Sequence, residues 1–261
     1  MLKELKMVEV DGELVMREID KVKIAIDRIR HFEPKDGYFV AFSGGKDSVV
    51  VLDLVKRSGV KHDDHYNLTT VGPPELVQFI KREHPEVERH RPDKTMWQIL
   101  ARKNMPPTRI VRYCCKLLKE GGGMGRVVIT GIRWAESTKR SKRRMTENCL
   151  KDKMKTFIHP IIDWSNEEVW EYIKTYKIKY CNLYDEGFKR LGCVMCPMTG
   201  TKGMLREKER WPKIYEAYIR AFNKMALKNP DSKNWKTGKD IMDWWIYNPS
   251  KADSDQTIMF E

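Results

Sequence analysis

The chain has no uninterrupted apolar run near the roughly 18 to 20 residues that a membrane-crossing helix needs. Its opening, Met1-Leu2-Lys3-Glu4-Leu5-Lys6, lacks the apolar core of a secretory signal. There is no internal repeat and no long low-complexity stretch, which excludes a solenoid or a disordered tether. Acidic residues are in deficit, 37 against 50 Lys+Arg, so the formal charge is +13 over 261 residues. Six cysteines are too few to staple a chain of this length as a disulfide framework. With a mean hydropathy of −0.62, these features describe a soluble, basic globular protein, expected in the cytoplasm and without a membrane partner. At roughly 150 residues per domain, the length fits one large domain or a domain with an appendage.

The charge favours polyanionic partners, either nucleic acid or phosphorylated small molecules, without choosing between them. In a reducing compartment, clustered cysteines read as metal ligands or reactive thiols. Cys114 and Cys115 are adjacent, Cys193 and Cys196 form a C-x-x-C, and Cys149 and Cys181 stand alone.

Three regions are expected: a helical lead-in over residues 1–35, a main domain over 36–200, and a basic, aromatic-rich helical region over 201–261. Tyr38-Phe39-Val40-Ala41-Phe42 reads as a buried parallel strand. A glycine turn follows, then an apolar helix face that stops near Ser58-Gly59. Further strands are expected at 65–70, 87–91, 126–130 and 157–162. Helices are expected at 22–30, 75–81, 96–102 and 166–176, the last capped by Ser165. This alternation predicts an α/β fold, a doubly wound parallel sheet with functional loops at the carboxyl ends of its strands and a C-terminal helical appendage. Pro230-Asp231-Ser232 is expected to break that appendage.

Ser43-Gly44-Gly45-Lys46-Asp47-Ser48 lies between the first parallel strand and its helix, where backbone N–H groups and the helix dipole favour a bound phosphate. The spacing is not the G-x-x-x-x-G-K-[ST] of a Walker loop. It resembles the S-G-G-x-D-S pyrophosphate loop (PP-loop) of the N-type ATP pyrophosphatase and phosphoadenosine-phosphosulfate (PAPS) reductase superfamily. Gly131-Ile132-Arg133-Trp134-Ala135-Glu136-Ser137 is similar to the G-x-R-x-x-E-S segment of the reductases. Asp163-Trp164, Leu183-Tyr184 and Gly187 to Gly192 follow in the same order. The resemblance covers residues 38–197. It implies that Ser43, Gly44, Gly45, Lys46, Asp47 and Ser48 hold phosphates and that Gly131, Arg133 and Glu136 lie close to the nucleotide. Lys46, Asp47, Arg133 and Glu136 are the expected catalytic residues, and Asp47 is the candidate contact for Mg²⁺. A surface ion pair is the alternative for Arg133 and Glu136.

Cys114-Cys115, followed 78 positions after Cys115 by Cys193 and then Cys196, resembles the C-C plus C-x-x-C pattern that carries a [4Fe–4S] cluster in adenylyl-sulfate reductases. Adjacent thiolates can ligate different irons of a cluster but fit poorly around one tetrahedral Zn²⁺. Nearby Arg109, Arg112, Lys116, Lys119 and Arg190 would favour thiolates. Zinc and unligated buried thiols are the alternatives, and Cys149 and Cys181 are expected to pack.

The sulfonucleotide reductases use a cysteine near the C-terminus as nucleophile, and none follows Cys196 in this sequence. The resemblance therefore implies ATP-dependent sulfur transfer to a nucleic acid, a layout shared with DNA phosphorothioation proteins. Alternatives are an adenylyl-sulfate or phosphoadenylyl-sulfate reductase with an unusual or external thiol, and a nucleotide-gated nucleic-acid binding module without catalysis. Expected ligands and partners are ATP or adenylyl sulfate, Mg²⁺, DNA or tRNA, a sulfur or electron donor protein, and a second copy of the chain.

Lys139-Arg140-Ser141-Lys142-Arg143-Arg144 fits a nucleic-acid phosphate patch, a solvated face, or a site for a nucleotide's extra phosphate. The aromatic stretch 211–222 has helical spacing and reads as core. Gln256-Thr257-Ile258-Met259-Phe260 is similar to peptides that dock on sliding clamps, with an ordinary docked tail as the alternative.

Overall fold

A computed structural model describes residues 1–10, 13–149, 155–228, 230 and 235–247. Two alternating stretches at the start, β1 (Lys3–Val10) and β2 (Glu13–Asp20), pair antiparallel with Lys3 opposite Asp20. This corrects the first part of the helical lead-in, before the helix expected at 22–30: Leu5 and Met7 alternate with charged Glu4 and Lys6 at the period of a strand. Helix α1 (Lys21–His31) follows, its first N–H groups capped by the Asp20 carboxylate.

The main sheet begins with β3 (Tyr38–Ala41), then α2 (Lys46–Ser58), which Gly59 ends in the left-handed conformation at φ 74°. Next come β4 (His62–Asn67), α3 (Pro74–Glu83), β5 (Glu88–His90), α4 (Met96–Leu100) and α5 (Tyr113–Leu118). Strand β6 (Val127–Ile129), α6 (Thr138–Ser141), β7 (Thr146–Asn148), β8 (Thr156–Ile158) and α7 (Asn166–Thr175) complete the domain. The strand order is β5-β4-β3-β6-β8-β7, all parallel except β7, which runs antiparallel to β8.

Strand β4 starts three residues earlier than the sequence suggests and is rich in His and Asp. Its ladder to β3 decides its extent, and Thr70, at φ 63°, has already left the strand conformation. Helix α7 matches its expected bounds because Ser165 and Glu168 form a reciprocal capping box.

Tyr38 and Val40 are buried on the α1 side, where the Tyr38 hydroxyl donates to the Ile29 carbonyl at 2.8 Å. Phe39 points the other way, against Gly122 and Gly123. The C-terminal helices α8 (Gly200–Arg210), α9 (Pro212–Ala226) and α10 (Gly238–Tyr247) pack on one another and on α4, with the Tyr218 and Trp97 rings 4.9 Å apart. Trp211, Tyr218 and Phe222 are buried, so the aromatic stretch is core rather than a base-stacking surface. No described helix is long and apolar enough to cross a membrane. The break at 231–232 and the clamp-like peptide at 256–260 lie outside the described residues.

Candidate active site

After β3 the chain builds β4 and β5 on one side, then crosses back to place β6 on the other. The sheet order therefore reverses between β3 and β6, the position where open α/β sheets form a ligand crevice at their carboxyl ends. The two glycine-bearing segments expected to meet a nucleotide follow these two strands.

The loop after β3 is held from within. Ser48 Oγ donates to the Gly45 carbonyl at 2.9 Å and accepts from the Ser43 N–H at 3.3 Å. Gly44 sits at φ 73°, and a Cβ there would lie 2.8 Å from Leu76 and Ile80 of α3, so this turn requires glycine. The Lys46 N–H donates to the Tyr184 hydroxyl at 2.8 Å. Gly131 is required for a different reason: a Cβ would meet the Asp47 backbone at 2.9 Å, so the end of β6 touches the first turn of α2.

Arg133 is fully buried, which corrects the surface ion-pair alternative. Its Nε donates to Asp47 Oδ1 at 2.7 Å, and its two terminal nitrogens donate to the Trp164 carbonyl at 3.0 Å and Asn166 Oδ1 at 2.9 Å. The guanidinium thus ties the loop after β3 to the start of α7. Asp163 beside Trp164 is gripped in turn by Arg28 of α1 at 2.7 and 3.2 Å. Glu136 does not pair with the Arg133 side chain. It accepts the Arg133 backbone N–H at 3.0 Å and forms an ion pair with Arg140. Asp47 also pairs with Lys46 at 3.0 Å, so an Mg²⁺ at Asp47 would share a carboxylate already contacted by two cations.

The structure brings all four paired cysteines to one cavity. Cys114 and Cys115 come from α5, and Cys193 and Cys196 from the loop that ends in a 3-10 turn at Pro197–Thr199. The remaining wall is largely apolar, including Met96, Leu118, Tyr218 and Trp245, so α9 and α10 close the cavity. Met195 adopts φ 60°, and its N–H donates to Glu207 of α8 at 2.5 Å. Tyr218 donates to the Val194 carbonyl at 3.0 Å. The Val194 N–H donates to the Val71 carbonyl at 2.8 Å, which joins the cysteine loop to the loop after β4.

The cysteine electrostatics are those of a crowded thiol set. The Cys114 thiol donates to Cys115, which with Lys119 and Arg112 nearby pulls the Cys115 pKa down to about 6 and pushes that of Cys114 up. Burial raises Cys196. Burial opposes the charge of Lys119, but Cys193, Cys196 and Cys115 beside it outweigh that cost and hold the ammonium above its usual range. Lys119 is exposed as a residue, so water screens part of that attraction. Burial also pushes Glu207 up to about 7. Cys181 is buried and Cys149 half-buried, and neither lines the cavity.

In the basic run, Arg140 and Arg143 pair with Glu136 and Glu147, whereas Lys139, Lys142 and Arg144 are exposed. Sequence reasoning missed Tyr184 as the partner of Lys46, Glu207 as the anchor of Met195, and Tyr218 and Trp245 as cavity walls. Their only sequence signals are a Leu183-Tyr184 pair and an aromatic helix pattern that also suits ordinary core.

The model of the phosphoadenosine phosphosulfate reductase domain family matches residues 37–199. An uncharacterised protein of Methanocaldococcus jannaschii is 32% identical over 218 residues, covering 77% of this chain and 44% of the relative, so the chain spans less than half of that protein. The adenosine 5'-phosphosulfate reductase of Oceanobacillus iheyensis is 28% identical over 184 residues, 66% of this chain and 75% of the relative. Among solved structures, the phosphoadenylyl-sulfate reductase of Candida auris aligns with a TM-score of 0.49 at 17% identity, covering 66% of this chain and 89% of that one.

Proposed function

The chain belongs to the phosphoadenosine phosphosulfate reductase domain family, and from that premise we propose that it is an enzyme of ATP-dependent sulfur transfer to a nucleic acid. The observation that carries this reading is the convergence of four cysteines from two distant segments on one cavity, joined through Val194 and Val71 to the loop after β4.

In this proposal, residues 43–48 and Lys46 hold the ATP phosphates, with Mg²⁺ at Asp47 offsetting their charge. Arg133 acts through Asp47 as a positioning residue, since its donors are already committed to protein acceptors. An acceptor oxygen attacks the α-phosphorus, the bond to pyrophosphate breaks, and a sulfur nucleophile then displaces AMP. Cys114, Cys115, Cys193 and Cys196 fit a [4Fe–4S] cluster, since all four thiols face one cavity with largely apolar walls. Bound there, the cluster would supply electron transfer and an anchoring point for sulfur. The exposed Lys139, Lys142 and Arg144 would track the acceptor's phosphates.

The second reading, adenylyl-sulfate reduction, is favoured by the 28% identity to such a reductase. It needs a thiol to attack the substrate sulfur, and Cys181 is buried with its thiol pKa pushed up by that burial. Assays on anaerobically purified protein separate the two. Pyrophosphate released from ATP with Mg²⁺, and stimulated by DNA or tRNA, supports sulfur transfer. Sulfite released from adenylyl sulfate with no pyrophosphate from ATP supports reduction instead.

A further inference from the structure

The sheet edge carries a second set of metal-ligating side chains, on β4 and β5 rather than on the cysteine segments. Successive residues of a strand alternate faces, so Asp63 and His65 share one face of β4 and Glu88 and His90 share one face of β5. The register sets His65 directly opposite Glu88. His65 Nδ1 lies 2.7 Å from His90 Nε2 and 3.3 Å from Glu88 Oε2. One ligand atom from each of the three residues lies within 4.8 Å of the others.

The arrangement behind these three residues is what distinguishes them from a chance surface cluster. His65 Nε2 is hydrogen-bonded to the Asp63 carboxylate, an acceptor that favours the tautomer protonated there and leaves Nδ1 facing His90 and Glu88. Asp63 is itself held by two nitrogens of Arg126, at 2.5 and 3.2 Å. The His65 ring is fixed by Phe39, stacked at 4.0 Å and nearly parallel. A carboxylate that orients a histidine so that its other nitrogen faces the ion is the usual support of a metal-bound imidazole.

We propose that His65, Glu88 and His90 bind a first-row divalent cation of the zinc class, supported by Asp63 and Arg126. Two imidazoles and one carboxylate suit Zn²⁺ and its neighbours better than Mg²⁺ or Ca²⁺. Ligand atoms around tetrahedral zinc stand about 3.3 Å apart, so the two imidazole nitrogens must separate by about half an ångström. Glu88 is 65% exposed and His90 39%, which leaves a coordination position open to water. The ion would clamp the three-residue edge strand β5 to β4, reinforcing a short ladder.

The test is titration of the chain with Co²⁺, whose visible spectrum reports its ligands, in its natural sequence and in Cys193→Ser, His90→Ala and Asp63→Asn. The proposal predicts one Co²⁺ per chain held with weak bands and no thiolate contribution, a component retained in Cys193→Ser and separate from any intense thiolate band that the four-cysteine cavity adds. His90→Ala should abolish that binding and Asp63→Asn should weaken it about 10- to 100-fold. Because His90 is part-exposed, its variant is expected to fold, and a thermal unfolding curve run alongside confirms it. A spectrum with only thiolate bands, or a weak-band component that disappears in Cys193→Ser or survives His90→Ala, would overturn the proposal.

Discussion

Arg133 Nε donates to Asp47 Oδ1 at 2.7 Å, linking a fully buried guanidinium after β6 to the first turn of α2 across the point where the sheet order reverses. All three of its donor groups have protein acceptors, so the contact fixes the loop after β3 before any ligand arrives. Removing the cation would leave the Trp164 carbonyl and Asn166 without their donor.

Arg133→Ala should therefore destabilise the fold by about 3 kcal/mol or more, the usual cost of breaking a buried ion pair from one side. Arg133→Lys should rescue little, because one ammonium cannot span three diverging acceptors. Denaturant unfolding of the three proteins, with ATP affinity measured beside it, checks both statements.

Gly131→Ala should lower ATP affinity more than it lowers stability. The added methyl meets the Asp47 backbone, so relief of the clash shifts the loop after β3 that is proposed to hold the ATP phosphates. At Gly44 the strain is local, from φ 73° and two flexible side-chain ends, and Gly44→Ala should cost about 1–2 kcal/mol in stability. Equilibrium dialysis against ATP and chemical unfolding distinguish the two.

The nucleotide and cysteine sites should be separable by mutation. Lys46→Ala should weaken ATP binding and leave bound iron unchanged, whereas Cys193→Ser should lose iron and keep ATP binding. Iron analysis and nucleotide titration of the same preparations provide the check, and loss of both properties in either variant would contradict two distinct sites.

His159 is fully buried, with Nδ1 bonded to Thr130, and burial together with Arg143 and Arg140 holds its pKa at about 4. The folded state prefers the neutral ring, so between about pH 6.5 and 4 the unfolded chain binds more protons. The stability His159 supplies is thus fully present above pH 6.5 and is lost as pH falls toward 4, by about 3 kcal/mol in all. Glu207, with its pKa raised to about 7, has the opposite slope between pH 4.5 and 7. The comparison that isolates His159 is the pH dependence of unfolding in the natural chain and His159→Gln, the variant losing less stability on acidification.

The core of the site is legible in the sequence because local signals agree: an apolar run, a glycine turn and an apolar helix face specify β3, the loop and α2 without tertiary information. Arg133 is named by its motif, but its burial is not, since Trp164 and Asn166 reach it only through the fold. The pairing of 3–10 with 13–20 is poorly legible in the sequence, because both strands are exposed two-strand elements with few apolar residues to mark a buried face. The meeting of Cys115 and Cys193 depends on how α5 and the later loop pack against α9 and α10, which spacing along the chain does not encode.

The most direct test of sulfur transfer is to supply radiolabelled sulfide and ATP to the anaerobic protein with DNA or tRNA and measure label in the recovered nucleic acid. The account predicts ATP-dependent incorporation that is lost in Lys46→Ala and in Cys193→Ser. Sulfite formation from adenylyl sulfate, with no label entering either nucleic acid, would contradict it.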